Sequence, residues 1–221
     1  MATTLSEPQL DAVLGRLFAA AARDGEDGPL PPPPPGHGSW ATAPARERSE
    51  ALQDYYLPIS AQAGQLLYVL VRAIRPETVV EFGTSFGIST IYLAAAVTDN
   101  GTGHVVTTEL STRKAEAARS NLQQAGVGDA VTILAGDARQ TLASVPGPVG
   151  LVLLDGWKDL CLPVLHLLEP KLAPGALVAA DDITHDSMAG YLDYIRNPAS
   201  GYVTVAFPVE DGLEISSWTG R

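Results

Sequence analysis

Two segments of the 221-residue chain end abruptly in acid after an apolar run. The first reads GLVLLDGWKD (residues 150–159), the second GALVAADDITHD (residues 175–186). Runs of this length suit buried strands, and neighbouring parallel strands lie about 5 Å apart. Asp155 at the end of one run, and Asp181 and Asp182 at the end of the other, would then share one small volume. Carboxylates so placed repel unless something positive joins them, and a hard divalent cation with oxygen ligands resolves the conflict. Mg²⁺ is the first expectation, with Mn²⁺ or Ca²⁺ as alternatives. Each aspartate alone could equally cap a following helix; the set beside a lysine favours the cation. Lys158 follows Asp155 closely, at a helix start where a cation is electrostatically disfavoured. In a partly dry pocket beside a metal its pKa is expected to fall, which makes the neutral amine a candidate general base. Of the scattered histidines His37, His104, His166 and His185, only His185 falls near this point, at the expected mouth of the site.

To hold such groups the chain needs a sheet. β-branched runs predict strands at Thr78–Phe82, Val105–Glu109, Ala130–Ala135, Gly150–Leu154, Ala176–Ala180, Val203–Phe207 and Glu214–Trp218. Helical spacing fills the intervals Ile88–Val97, Thr112–Ala125, Ala138–Ser144, Leu160–Leu172 and Met188–Asn197, and precedes the first strand at Arg46–Tyr56 and Ser60–Arg75. Successive βα units imply a parallel sheet with helices on both faces. The last two strands are too close in sequence for a crossover, so they form an antiparallel hairpin. Upstream, Ser6–Asp24 reads as an amphipathic helix with Leu10, Val13, Leu14, Leu17 and Phe18 on one face. Gly25–Ser39 stops it, and Pro31 to Pro35 predict a stiff spacer. Two segments result: residues 1–43, a helix and proline-rich linker, and residues 44–221, the α/β domain. The first helix is expected on a neighbouring subunit or as a lid. Trp40, Tyr55 and Tyr56 are expected to pack in the core rather than wall a pocket.

Three further strand ends are polar. The first strand runs into VVEFGTSFGIST (residues 79–90), where Gly83 and Gly87 flank a tight turn into a helix N-terminus. This is not the G-x-G-x-x-G of a dinucleotide site, and Glu81 would repel a pyrophosphate. An acid there suits a zwitterionic amino-acid cofactor with ammonium and sulfonium charges. Glu109 ends the second strand, where a carboxylate can accept from ribose hydroxyls. AGDA ends the third, so Asp137 and the backbone of Ala138 could read an adenine edge.

Composition narrows the partners. With 25 acidic against 14 basic residues the net charge is −11, which disfavours a nucleic-acid backbone. No long apolar run marks a membrane span and the N-terminus lacks the features of a signal peptide, so a cytoplasmic protein is expected. Cys161 is the single cysteine, which excludes an internal disulfide and a cysteine-based zinc site.

At this density of coincidence the chain resembles the catechol and caffeoyl-CoA type of metal-dependent O-methyltransferase. The string LDGWKDLCLPVLHLLEPKLAPGALVAADDI (residues 154–183) is similar to that family's metal and base segment, and the likeness runs from Leu57 to Trp218. It implies a Rossmann-like class I methyltransferase fold: a seven-stranded, mostly parallel sheet with a C-terminal antiparallel hairpin. It also implies that a methyl group passes from S-adenosylmethionine to one hydroxyl of a catechol-like small molecule. By that likeness Asp155, Asp181 and Asp182 bind the metal and Lys158 deprotonates the substrate. Asp182 and Glu214, in VEDGLEIS, contact the acceptor, Glu214 orienting its second hydroxyl. Glu81, Gly83, Ser85 and Ser89 surround the methionine portion of the cofactor, with Asp155 close by; Glu109 takes the ribose. Asp137 and Ala138 lie near adenine, Trp157 lies against its face, and Ile59, in LPISAQAGQ, touches the cofactor through its backbone. A homodimer is expected. One departure stands out: the family's usual Asp-Asn pair is Asp181–Asp182 here. The extra charge would favour a different metal, raise the need for one, or leave Asp182 protonated. The rival readings are a same-fold methyltransferase acting on a nitrogen or a non-catechol hydroxyl, a nicotinamide oxidoreductase, and a catalytically silent binding module.

Overall fold

The computed structural model describes residues 3–26 and 30–220. Seven strands form one sheet: β1 (Thr78–Phe82), β2 (His104–Glu109), β3 (Val131–Ala135), β4 (Val149–Leu154), β5 (Leu172–Ala180), β6 (Tyr202–Phe207) and β7 (Leu213–Trp218). Their order is β3-β2-β1-β4-β5-β7-β6, with β1 to β5 parallel and β7 antiparallel to both β5 and β6. The expected sheet with its closing hairpin is therefore present. Alternation along the central strands sends Val79, Leu151 and Leu153 into one apolar layer and Val80, Val152 and Leu154 into the other. Both faces are buried, as a parallel sheet requires.

The helices are α1 (Pro8–Glu26), α2 (Ala45–Ala51), α3 (Ala61–Ile74), α4 (Ile88–Asn100), α5 (Thr112–Gln124), α6 (Ala138–Thr141), α7 (Cys161–Leu168) and α8 (Ala189–Ile195). Several are shorter than their sequence period suggests, for local reasons. The expected helix Arg46–Tyr56 ends at Ala51, where Leu52 leaves helical geometry at φ −107 and ψ 20, and Leu57, at φ 46 before Pro58, does not resume it. The expected helix Leu160–Leu172 divides into a 3₁₀ turn at Lys158–Leu160, then α7, then a second 3₁₀ turn at Glu169–Lys171. Pro170 has no N–H to continue α7. The chain then enters β5 at Leu172, ahead of the expected Ala176. No helix among the described residues is long and apolar enough to cross a membrane.

The first helix packs its apolar face into the core of its own chain rather than over the site as a lid. Leu10, Val13, Leu14 and Leu17 are buried in the same apolar layer as Leu67 of α3, Ile91 of α4 and Leu122 of α5. Its polar side is tied down too: Arg16 Nη2 donates to Asn121 Oδ1 at 2.9 Å and Gln9 Nε2 to the Gln124 carbonyl at 2.6 Å. The proline run does not stand away as a spacer. Pro34 is buried, its carbonyl accepts from His37 N at 3.2 Å, and Leu30 lines the cavity described below. Part of the expected linker, residues 27–29, lies outside the described residues.

Because Leu17 is fully buried, Leu17→Ala should destabilise the protein by about 2 to 5 kcal/mol in urea or guanidinium unfolding. An unchanged midpoint would mean that α1 does not share the core.

Candidate active site

Strand order reverses between β1 and β4, and ligands of open α/β sheets bind at the carboxyl ends of strands at such a point. Here the ladder continues past the strands. Asp155 N donates to the Phe82 carbonyl at 2.9 Å and Asp181 N to the Leu154 carbonyl at 3.1 Å, so both acids are fixed at the rim. Gly83 follows β1 at φ +104, and a Cβ there would lie 2.8 Å from the carbonyl of Asp155 and from Gly156 N. Only glycine lets the two strand ends meet. Gly87, at φ 90, starts α4 and turns its first N–H groups toward the same rim.

Asp155, Asp181 and Asp182 each offer an oxygen within 4.8 Å of the others. Asp182 reaches this position from a left-handed backbone, φ 54, which aspartate tolerates better than most residues. Lys158, on the 3₁₀ turn after β4, places Nζ 3.0 Å from Asp155 Oδ1 and 3.0 Å from Asp182 Oδ2. Burial raises the pKa of Asp155 to about 6, against the pull of Lys158 and with the repulsion of Asp182 and Glu81. Burial, followed by repulsion from Asp155, raises that of Asp181 to about 8. The fall in the Lys158 pKa is expected beside a bound metal; with the protein's own groups alone the balance runs the other way. Burial does act downward, but attraction to Asp155 and Asp182 outweighs it and holds the ammonium well above its ordinary range.

The other half of the rim suits a nucleoside. Glu109 accepts from Ser85 N and Ser111 N, each at 2.8 Å, which aims its carboxylate and leaves lone pairs free. Ser85 in turn donates Oγ to the Tyr56 carbonyl at 2.6 Å, and Tyr56 N donates to Asp24 Oδ2 at the end of α1. Asp137 caps α6, and Arg139 takes both its carboxylate oxygens at 3.0 and 2.6 Å. That side chain is therefore engaged, and the backbone at Asp137–Ala138 is what remains to read a base.

A cavity of about 310 Å³ connects the two halves. It gathers Gly83, Ser85, Glu109, Asp137, Ala138, Asp155, Trp157, Lys158 and Asp182, with His185 at its side as expected. An adjoining hollow adds Ile59 and Ser89. Asp181 is buried beside the cavity within the acid cluster. Two expected residues face elsewhere. Glu81 shares the face of Val79, is fully buried, and accepts from Ser89 Oγ and Thr90 Oγ1 at 2.5 Å each. Burial pushes its pKa up, partly opposed by those hydroxyls. It braces the first turn of α4 instead of facing a ligand. Glu214 is paired with Ala180 across β5 and β7, but its carboxylate turns to Arg196, at 2.9 and 2.7 Å, and to Thr204 at 2.8 Å. It does not line the cavity. Sequence reasoning missed Leu30, Trp40, Arg48 and Lys114, which do. Arg48 is buried on a short helix whose charged sequence reads as solvated, so no periodic signal marks it. Trp40 walls the cavity instead of the core.

A methyltransferase-domain family matches residues 80–183. Catechol O-methyltransferase of Mycobacterium tuberculosis is 37% identical over 144 residues, 65% of this chain and 64% of that protein. Catechol O-methyltransferase B of Danio rerio is 30% identical over 182 residues, 76% of this chain and 68% of the relative. The chain belongs to the catechol O-methyltransferase family. Its match to the mycobacterial member spans a little under two thirds of that protein's length. Among solved structures, cofactor-bound Rv0187 from MTB superposes with a TM-score of 0.72 at 26% identity, over 98% of this chain and 94% of that one. An O-methyltransferase from Bacillus cereus in complex with SAH shares the fold, with a TM-score of 0.67 at 20% identity over 97% and 93% of the two chains.

In this member of the catechol O-methyltransferase family the acid cluster sets a pH dependence. Asp155 and Asp181 bind protons more tightly folded, at about 6 and about 8, than at their ordinary 3.8. That stabilisation is complete below about pH 4 and is lost as pH rises through the folded values. In excess chelator the melting temperature should fall from about pH 5 to about pH 8.5, and Asp181→Asn should flatten the upper part. A melting temperature that climbs across this window would contradict the assignment.

Proposed function

We propose that the chain moves the methyl group of S-adenosylmethionine to one hydroxyl of a vicinal dihydroxy aromatic, with a divalent cation held by Asp155, Asp181 and Asp182. The observation that carries this reading is the acid cluster itself, whose oxygens approach within 4.8 Å with Lys158 on one side, at one end of a cavity that carries Glu109 at the other. The donor set fits a hard cation, being all oxygen. The close approach of backbone at Gly83 fits the polar methionine portion of the cofactor, and the name shared by the curated relatives supports a catechol as acceptor.

When bound, the cation acidifies a neighbouring hydroxyl and takes over carboxylate charge that otherwise holds Lys158 protonated. S-adenosylmethionine supplies the methyl group as an electrophile on a positive sulfur. Glu109 holds the ribose hydroxyls, while Ser85, Ser89 and Ile59 confine the methionine portion. Ala138 and Trp157 confine the adenine. Lys158 Nζ, aimed by Asp155 and Asp182, receives the proton of the acceptor hydroxyl, because a neutral hydroxyl is a poor nucleophile. Leu30, Trp40, Leu52 and Leu57 line the cavity with apolar surface and keep water from the reacting atoms. Alignment of two substrates in one cavity contributes the rest of the acceleration.

The test is methyl transfer to a panel of catechols, followed by mass spectrometry, with EDTA or added Mg²⁺. Turnover should vanish in chelator and return with metal. Lys158→Ala and Asp155→Ala should each lower kcat by about 100-fold or more. Full activity in excess chelator, or normal turnover in either variant, would overturn the reading.

A further inference from the structure

The turn that carries Lys158 is gripped from two sides, and only one grip belongs to the acid cluster. On the other side Asp159, the next residue, receives Arg48 of α2 in a two-pronged pair, Nη1 to Oδ1 at 2.7 Å and Nη2 to Oδ2 at 3.0 Å. The guanidinium carbon also lies 4.7 Å from the centroid of the Trp157 ring. One side chain thus holds the residues before and after Lys158. The Arg48 side chain is 6% exposed, against 36% for Asp159, and its Nε has no hydrogen-bond partner. Burying a guanidinium costs free energy that an ion pair at best recovers, so such a pair adds little net stability. What it adds is geometry, since a planar fork on a carboxylate and a flat cation on an indole each permit one arrangement. The same helix brings Ala45 and Ser49 to the cavity wall, and its C-cap brings Leu52, so the wall and the turn are held in one register.

We infer that Arg48 and Asp159 form a latch that fixes the turn at residues 157–160, with Arg48 a positioning residue for Lys158 and Trp157. The inference rests on the proposed function for its kinetic consequence and on the geometry alone for its structural one. In Arg48→Met, backbone amides of residues 156–160 should exchange with deuterium about tenfold faster, while those of β1 and β4 keep their rates. With a catechol acceptor and saturating S-adenosylmethionine, kcat should fall about tenfold, as a misplaced catalytic group produces. Asp159→Asn should do the same. The double variant should be no slower than the worse single one, whereas independent lesions would multiply to about 100-fold. Arg48→Lys, which keeps the charge and loses the fork, should fall between wild type and Arg48→Met. Wild-type exchange and kcat in Arg48→Met overturn the latch. So does exchange that quickens equally in every strand as the melting temperature drops, because Arg48 would then serve global stability. If the wild-type protein methylates no catechol the proposed function fails, and the exchange comparison still decides the latch.

Discussion

Parallel pairing across β1, β4 and β5 is the constraint from which the site follows. It sets Asp155 and Asp181 one step beyond adjacent strands, each pinned by a backbone hydrogen bond to its neighbour. Side by side in a place sheltered from water, these carboxylates cannot all remain ionised without positive charge. Lys158 supplies part of it and is in turn trapped in its charged form. The same pairing brings β1 against β4 so closely that Gly83 has no room for a side chain. Repulsion and close approach thus come from one arrangement of strands.

Much of this was legible in the chain. Apolar runs that stop at acid marked β1, β2, β4 and β5, and Glu109, Asp155 and Asp182 at the ends of the last three line the cavity. The parallel sheet followed from the alternation of strands and helices, and the closing hairpin from the short connection between the last two strands. Helix ends were less legible, because they are set by single residues: Pro170 stops α7 and Pro58 turns the chain after α2.

The side chains that sequence misplaced share a cause. Glu81 was assigned from its place at the end of a strand and Glu214 from family likeness, but which face an acid takes is decided by its partners. Ser89 and Thr90 draw Glu81 beneath α4, and Arg196 draws Glu214 away from the cavity. Lys158 was expected to lose its proton beside a metal; by themselves Asp155 and Asp182 hold it charged against desolvation. Arg48 carried no signal, since the acid that pairs with it lies far along the chain.

The contacts Asp24 to Tyr56, Tyr56 to Ser85 and Ser85 to Glu109 form an unbroken line from the end of the first helix to the Glu109 carboxylate at the cavity. The first helix, remote from any chemistry, thereby anchors the backbone of Tyr56, on which Ser85 and through it Glu109 are aimed.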